Sequence, residues 1–368
     1  ESLGGGAHPD FQFDSDFIWD VIKGERQLKI EGSKDLKAYI GEELDAPQLL
    51  WQGKRDYRGG LDWVVSNLIH VFAQIFFDTE EYSFGYILAK KLKVKGENIF
   101  LAGELGAKVS ALRSQSERLL DRFGGKLPEK IFIFFTGNDL CAQSLERITS
   151  GEDFGGHLRR GLEFMLRNGK AHPRGTSVYV VSYLGATQLL LEPSIQEKKV
   201  WAFGQEVTCK KLREQSYLPA NPLMSHKHSE SVYFSNYLPP NPAQLCPTIF
   251  SLEQMARNEI GFFSPLDEKE RKKVVAVKVA EMISTLSNRV RIYRNQAQKA
   301  VSAVSRLKKS VFADKNIEFQ LLTATESLDL VGEDLACNCF DLSLAGQLKI
   351  AKALYAEMES LAAKASTR

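Results

Sequence analysis

The chain alternates between short apolar runs and longer stretches with the period of a helix. Strand-like runs fall at Gln27–Ile30, Asn98–Ala102, Ile131–Phe135, Ser177–Tyr183 and Glu318–Thr323. Each is short and rich in apolar or β-branched residues, with Gly, Asn, Ser or Thr close behind, the pattern of strands ending in turns. Between them, Leu61 to Phe77 places Leu61, Val64, Val65, Leu68 and Phe72 at helical spacing. Val109 to Phe123 does the same with Leu112, Leu119, Leu120 and Phe123, then stops at Gly124-Gly125. Phe154 to Asn168 and Leu344 to Ala363 repeat the pattern. Strands alternating with helices predict a parallel sheet covered on both faces. In such sheets functional residues collect in loops beyond the carboxyl ends of the strands.

Two segments break the alternation. Residues 185–250 contain Pro193, Pro219, Pro222, Pro239, Pro240, Pro242 and Pro247 and few long periodic runs. They predict an extended insertion or lid, since long loops in compact domains are usually functional or mobile. From Asp267 to about Phe312 there is no Pro or Gly, and Lys, Arg, Ala and Val dominate. This predicts one long helix or a bent pair, basic on its outer face at Lys299, Arg306, Lys308 and Lys309. A solvated face is the plain explanation; contact with an acidic partner or an anionic surface is the other.

Composition narrows the class. The 368 residues are 43% hydrophobic and 26% charged, which suits a globular protein with a sizeable core. The formal net charge of +2 is too mild to imply nucleic acid. Apolar runs reach only about ten residues before a charge interrupts them, short of a transmembrane helix. The cysteines are Cys141, Cys209, Cys246, Cys337 and Cys339, with no CxxC pair, so a structural metal is not expected. Cys209 and Cys246 flank the Pro- and Ser-rich loop, where a disulfide would help an exported protein. The pair His226-x-His228 lacks acidic companions and is read as surface rather than as a metal site.

The candidate chemistry lies at two strand exits. Ile131–Phe135 leads into Thr136-Gly137-Asn138-Asp139, and Ala102-Gly103-Glu104-Leu105-Gly106-Ala107-Lys108-Val109 makes a similar exit into a helix. A glycine before a helix lets a backbone N–H approach a ligand, and an Asn side chain supplies a second donor. Together they could stabilise an oxyanion. Further blocks are Tyr57-Arg58-Gly59-Gly60-Leu61-Asp62-Trp63 and Asn338-Cys339-Phe340-Asp341-Leu342-Ser343, the latter followed by Gly346 and Ala351-Lys352-Ala353-Leu354-Tyr355.

In order and spacing these blocks resemble the SGNH/GDSL hydrolase superfamily, and within it the phospholipase B group, from roughly residue 25 to residue 360. The resemblance implies a three-layer α/β/α, flavodoxin-like parallel sheet with a large insertion and a long helical segment. Its organisation would be an N-terminal extension (1–24), a first core part (25–184), a Pro-rich insertion or lid (185–265), a long basic helical segment (266–315) and a C-terminal core strand and helix (316–368). It also implies an ester hydrolase whose oxyanion donors are Gly106 and Asn138, with no cofactor and no metal.

Three blocks depart from the family. The Gly that precedes the block Asn by two is Thr136 here. The Gly-Asp-Ser block falls near Ile30-Glu31-Gly32-Ser33-Lys34-Asp35, where either Ser33 is the nucleophile or Lys34 occupies its place. Register in the last block puts Asn338 at the family's Asp and Asp341 at its His. A carboxylate with an ordinary pKa near ~4 takes a serine proton poorly, and losing a triad base costs on the order of a million-fold. His70, His157 and His172 lie in or beside predicted helices, while His226 or His228 could be offered by the insertion. The expectation is therefore a pseudoenzyme that binds a lipid, an acylated glycan or a protein partner, with no role in nucleic-acid binding and no membrane span. The resemblance and the loop cysteines tilt towards export. An active lipase or esterase using Ser33 and a non-standard base is the alternative.

Overall fold

The computed structural model describes residues 33–41, 83–103, 107–185, 188–202, 205–216, 246–261, 266–335, 339 and 342–366. Helices α1 (Ser33–Ile40), α2 (Phe84–Lys91) and α3 (Leu112–Arg122) precede strand β1 (Lys130–Phe134). A single turn, α4 (Gly137–Leu140), and helix α5 (Gly151–Asn168) lead to β2 (Thr176–Val181). The hairpin β3 (Lys199–Ala202) and β4 (Gln205–Thr208) follows, then α6 (Cys209–Ser216) and α7 (Leu252–Ile260). Helix α8 (Glu268–Val311), strand β5 (Ile317–Leu322) and helix α9 (Leu344–Ser366) complete the order.

The protein is a mixed α/β structure, mostly helical, around a small parallel sheet of order β1-β2-β5 among the described residues. Alternation along the strands decides what each face touches. Ile133, Val178, Val180, Ile317 and Phe319 join one buried cluster with residues of α3, α5, α7 and α8. Tyr179, Val181 and Leu322 join another with α1, α2 and α9. The three strands correspond to three of the five apolar runs. Gln27–Ile30 and the helical run Leu61–Phe77 lie outside the described residues.

Asn98–Ala102 is not a strand. A short 3-10 turn (Gly96–Asn98) precedes extended coil there. Phe100 packs on the core and meets Phe123 edge-on at 6.1 Å. The run is apolar because its side chains are partly buried, and no neighbouring strand pairs with its backbone among the described residues.

The long helices begin and end on specific side chains. Ser150 accepts the Asp153 N–H at the start of α5, and Asp267 accepts the Glu270 N–H at the start of α8. The Lys315 ammonium donates to the carbonyls of Leu166, Arg167 and Gly169 at 2.7, 2.9 and 3.0 Å, closing the end of α5. Helices α5 and α8 lie side by side at close range. A Cβ on Gly151 would come within 2.3 Å of Ile292, so the contact depends on the missing side chain. Helix α8 is one unbroken run of 44 residues, about 66 Å long.

The region after β2 is more regular than its prolines suggest. Short helical turns at Gln188–Leu191 and Pro193–Glu197 precede the β3–β4 hairpin and α6, and Pro247–Phe250 precedes α7. The expected bond between Cys209 and Cys246 does not form. Cys141 pairs with Cys246, and Cys209 pairs with Cys339. The reason is packing: α6 lies against the loop before α9, while the 246–251 segment lies against the loop after β1. The Arg213 guanidinium on α6 is buried, donates to the Cys339 carbonyl at 2.7 Å, and stands over the Phe250 ring at 5.3 Å.

Joining Cys209 to Cys339 closes a loop of 130 residues, which restricts the unfolded chain more than it alters the native contacts. Replacing both cysteines by serine should lower stability by about 3–5 kcal/mol in urea unfolding. An unchanged midpoint would show that the bond contributes nothing to the fold.

Candidate functional site

The carboxyl end of β1 emits Thr136 and then the turn α4, carrying Asn138 and Asp139. Both reach the segment before α3. The Asn138 side-chain amide donates to the Ala107 carbonyl at 3.1 Å, and the Val109 N–H donates to Asp139 Oδ2 at 3.0 Å. An Asn amide carries two N–H groups, and the bond to Ala107 uses one. Gly106, beside Ala107 in sequence, lies outside the described residues.

Asp139 is the centre of this junction. It has no exposed surface. Its carbonyl accepts the Thr149 N–H at 2.9 Å, and the Tyr293 hydroxyl of α8 lies against the carbonyls of both Asp139 and Thr149. Tyr293 stacks on Phe154 of α5 with centroids 4.2 Å apart. Burial pushes the Asp139 carboxyl up to about 6, against the opposing effects of the Val109 N–H, the Thr149 side chain and Lys108. Despite the nearness of Thr149, no donor among the described residues completes a hydrogen bond to Asp139 Oδ1. Burial also raises the Tyr293 phenol, and the Asp139 charge adds to the effect.

At the exits of β2 and β5, the buried Ser182 hydroxyl donates to Glu326 at 2.6 Å, and Arg294 of α8 pairs with the same carboxylate at 3.3 Å. A cleft opens here between Thr136, Ser182, Tyr183, Tyr293 and Arg294, with an empty volume of about 300 Å³ including its open mouth. Its enclosed part has room for roughly one water molecule. The backbone N–H groups of Thr323 and Ala324, just beyond β5, point at a carboxylate from the protein itself. Glu357 of α9 accepts from them at 2.9 and 2.8 Å, which fills that anion-binding position internally.

The C-terminal block lies between β5 and α9. Asn338 and Asp341 are outside the described residues. Cys339 takes a left-handed backbone (φ 60°), bonded to Cys209 and gripped by Arg213. From there a continuous path runs back to α4. Ser251 donates to the Arg213 carbonyl at 3.5 Å, and the Thr248 hydroxyl donates to the Leu140 carbonyl at 2.7 Å and accepts the Ala142 N–H at 3.0 Å. The Cys141–Cys246 bond reinforces the second half of the path.

Ser33 opens α1, and its side chain lies outside the described residues. His172 precedes β2, at the opposite edge of the sheet from Asn138, and its N–H donates to Thr176. His157 on α5 contacts Arg160, and desolvation, then Arg160, lowers its pKa. Neither histidine reaches the Asn138 turn. His70, His226 and His228 are outside the described residues. Among the described residues, no group of His, Cys, Asp and Glu side chains could hold a metal ion. Sequence reasoning passed over Asp139 and Tyr293, although Asp139 stood inside the motif and Tyr293 is the one aromatic residue of α8. No family model matches the chain, and no curated protein matches it.

Because the folded Asp139 carboxyl is raised from 3.8 to about 6, its contribution favours the fold fully below about pH 4 and is lost as pH rises through about 6. Asp139→Asn should flatten that part of the profile. The stability change between about pH 4 and pH 7 should differ from wild type by on the order of 2–3 kcal/mol in urea titrations. An identical pH profile in the variant would show that Asp139 titrates normally.

Proposed function

We propose that this chain is an SGNH/GDSL-hydrolase-like protein, closest to the phospholipase B group, that has lost ester hydrolysis and acts by binding. Its ligand would be a lipid, an acylated glycan or a protein partner. The observation that carries the reading is the joined pair of blocks: Asn138 and Asp139 both hydrogen-bond the Ala107–Val109 segment at the carboxyl end of β1. The family's geometry requires its block Gly and block Asn to converge there. Parallel strands in the order β1-β2-β5, with helices against both faces, support the three-layer flavodoxin-like architecture.

Residue types at the C-terminal block support the loss of catalysis. Asn338 stands where the family carries its orienting Asp, and Asp341 where it carries its base. A triad needs a base of pKa near working pH, within reach of the serine and held in the right tautomer by a third group. Asn and Asp at those places supply neither, and the Gly-Asp-Ser element is altered as well. Two disulfides support an exported setting, because such bonds persist in oxidising compartments. Among the described residues, no helix is long and apolar enough to cross a membrane.

Intact protein should neither form a fluorophosphonate adduct nor turn over a short p-nitrophenyl ester beyond the triad-less level, about a million-fold below a full triad. An adduct at Ser33 together with turnover would replace this reading with an active lipase or esterase using a non-standard base. The double change Asn338→Asp and Asp341→His should also remain inactive, since the first block is altered too. Activity in that variant would mean the nucleophile had been intact.

A further inference from the structure

Helix α8 changes character along its length. Its acidic residues, Glu268, Glu270 and Glu281, all lie in the first part. There two of the cations are paired, Lys272 with Glu268 at 3.7 Å and Lys278 with Glu259 of α7 at 2.5 Å. From Met282 to Val311 the helix carries Arg289, Arg291, Arg294, Lys299, Arg306, Lys308 and Lys309 and no acidic residue. Arg289 and Arg294 are used inside the fold, on the Thr149 carbonyl and on Glu326. Arg291 donates to Asn288 on its own helix at 2.9 Å, and neither it nor Lys299, Arg306 or Lys309 bonds another element among the described residues. They are exposed, and no ion pair holds any of them among the described residues.

Helical geometry puts these four on one side. Tyr293, Ala297, Ala300 and Val304 face the core, and at 100° per residue the four cations fall on the opposite half of the helix. From Arg291 to Lys309 they extend about 27 Å along a straight axis. The outward residues between them are Asn295, Gln298 and Ser302, hydrogen-bonding side chains without charge. No large apolar side chain is exposed between Arg291 and Lys309, so this stretch offers charge and hydrogen bonds alone.

We infer that this outer face of α8 is a docking surface for an anionic phospholipid bilayer, separate from the cleft at the strand ends. Charge complementarity carries the assignment: a rigid, linear and uncompensated row of cations suits a flat surface of negative headgroups. Juxtamembrane cations each add to such binding, and the attraction falls off within a Debye length. Without an apolar anchor, attachment at the headgroups is electrostatic and reversible by salt. The outward face carries no aromatic residue on which a nucleic-acid base could stack. The inference is independent of whether the cleft binds or hydrolyses anything.

Co-sedimentation of the whole chain with vesicles tests it. The protein should bind vesicles of phosphatidylcholine mixed with phosphatidylglycerol, release them as salt is raised, and ignore phosphatidylcholine alone. The combined variant Arg291→Glu, Lys299→Glu, Arg306→Glu and Lys309→Glu should keep its circular dichroism and melting curve and bind on the order of 100-fold more weakly. Because the four side chains are exposed and outside the ion pairs of the fold, the variant should fold. If it does not, the uncharged set Arg291→Gln, Lys299→Gln, Arg306→Gln and Lys309→Gln takes its place with the same expected loss. Failure to bind anionic vesicles, equal binding to neutral ones, or retention of binding by a folded variant would overturn the inference. Equal affinity for a DNA duplex or for polyglutamate would overturn the lipid assignment and leave only a general polyanion site.

Discussion

Asp139 has no exposed surface, and the segments that build the carboxyl edge of the sheet meet on it. Its side chain receives the backbone before α3, its carbonyl receives the loop before α5, and Tyr293 brings α8 against the same place. A buried polar group left without a partner costs more than a made hydrogen bond returns. The junction therefore constrains everything around it: the turn after β1 cannot shift without stranding the carboxylate, and α8 cannot slide without stranding its tyrosine. One oxygen, Oδ1, remains without a partner. That residual cost marks the junction as an under-satisfied polar point of the core, and it lies beside the candidate oxyanion donor Asn138.

A second constraint is covalent. The two disulfides attach both described ends of the Pro-rich region, Cys209 and Cys246, to the two blocks that carry the family resemblance. Arg213, Ser251 and Thr248 run between the same points, so the stems of that region form the physical link from the Cys339 loop to the turn after β1. Beyond β5 the Glu357 carboxylate occupies backbone N–H groups that an anionic ligand would otherwise use.

Much of this was legible along the chain. The runs at Ile131, Ser177 and Glu318 became β1, β2 and β5, because their apolar residues alternate between cores on the two faces of the sheet. The long stretch without Pro or Gly became α8 for the complementary reason. Asn98–Ala102 misled because burial and strand pairing have the same apolar signature, and only the neighbouring backbone distinguishes them. Asn138 could be singled out because it stands in a motif at a strand exit. Asp139 could not be ranked above it, since nothing local tells a buried carboxylate from a turn residue.

Cysteine pairing shows the division most plainly. The spacing of Cys209 and Cys246 around a loop suggested a bond between them, yet each found a partner more than a hundred residues away. Sequence alone determined three of the strands, the helices that follow them, the parallel class of their sheet and the residues at the exit of β1, because these follow from local periodicity and backbone propensity. Tertiary structure decided the cystine partners, the burial and raised pKa of Asp139 and the capture of Glu357 beyond β5. Those depend on which distant segments share a low-dielectric interior or are left facing water, and no local pattern encodes that.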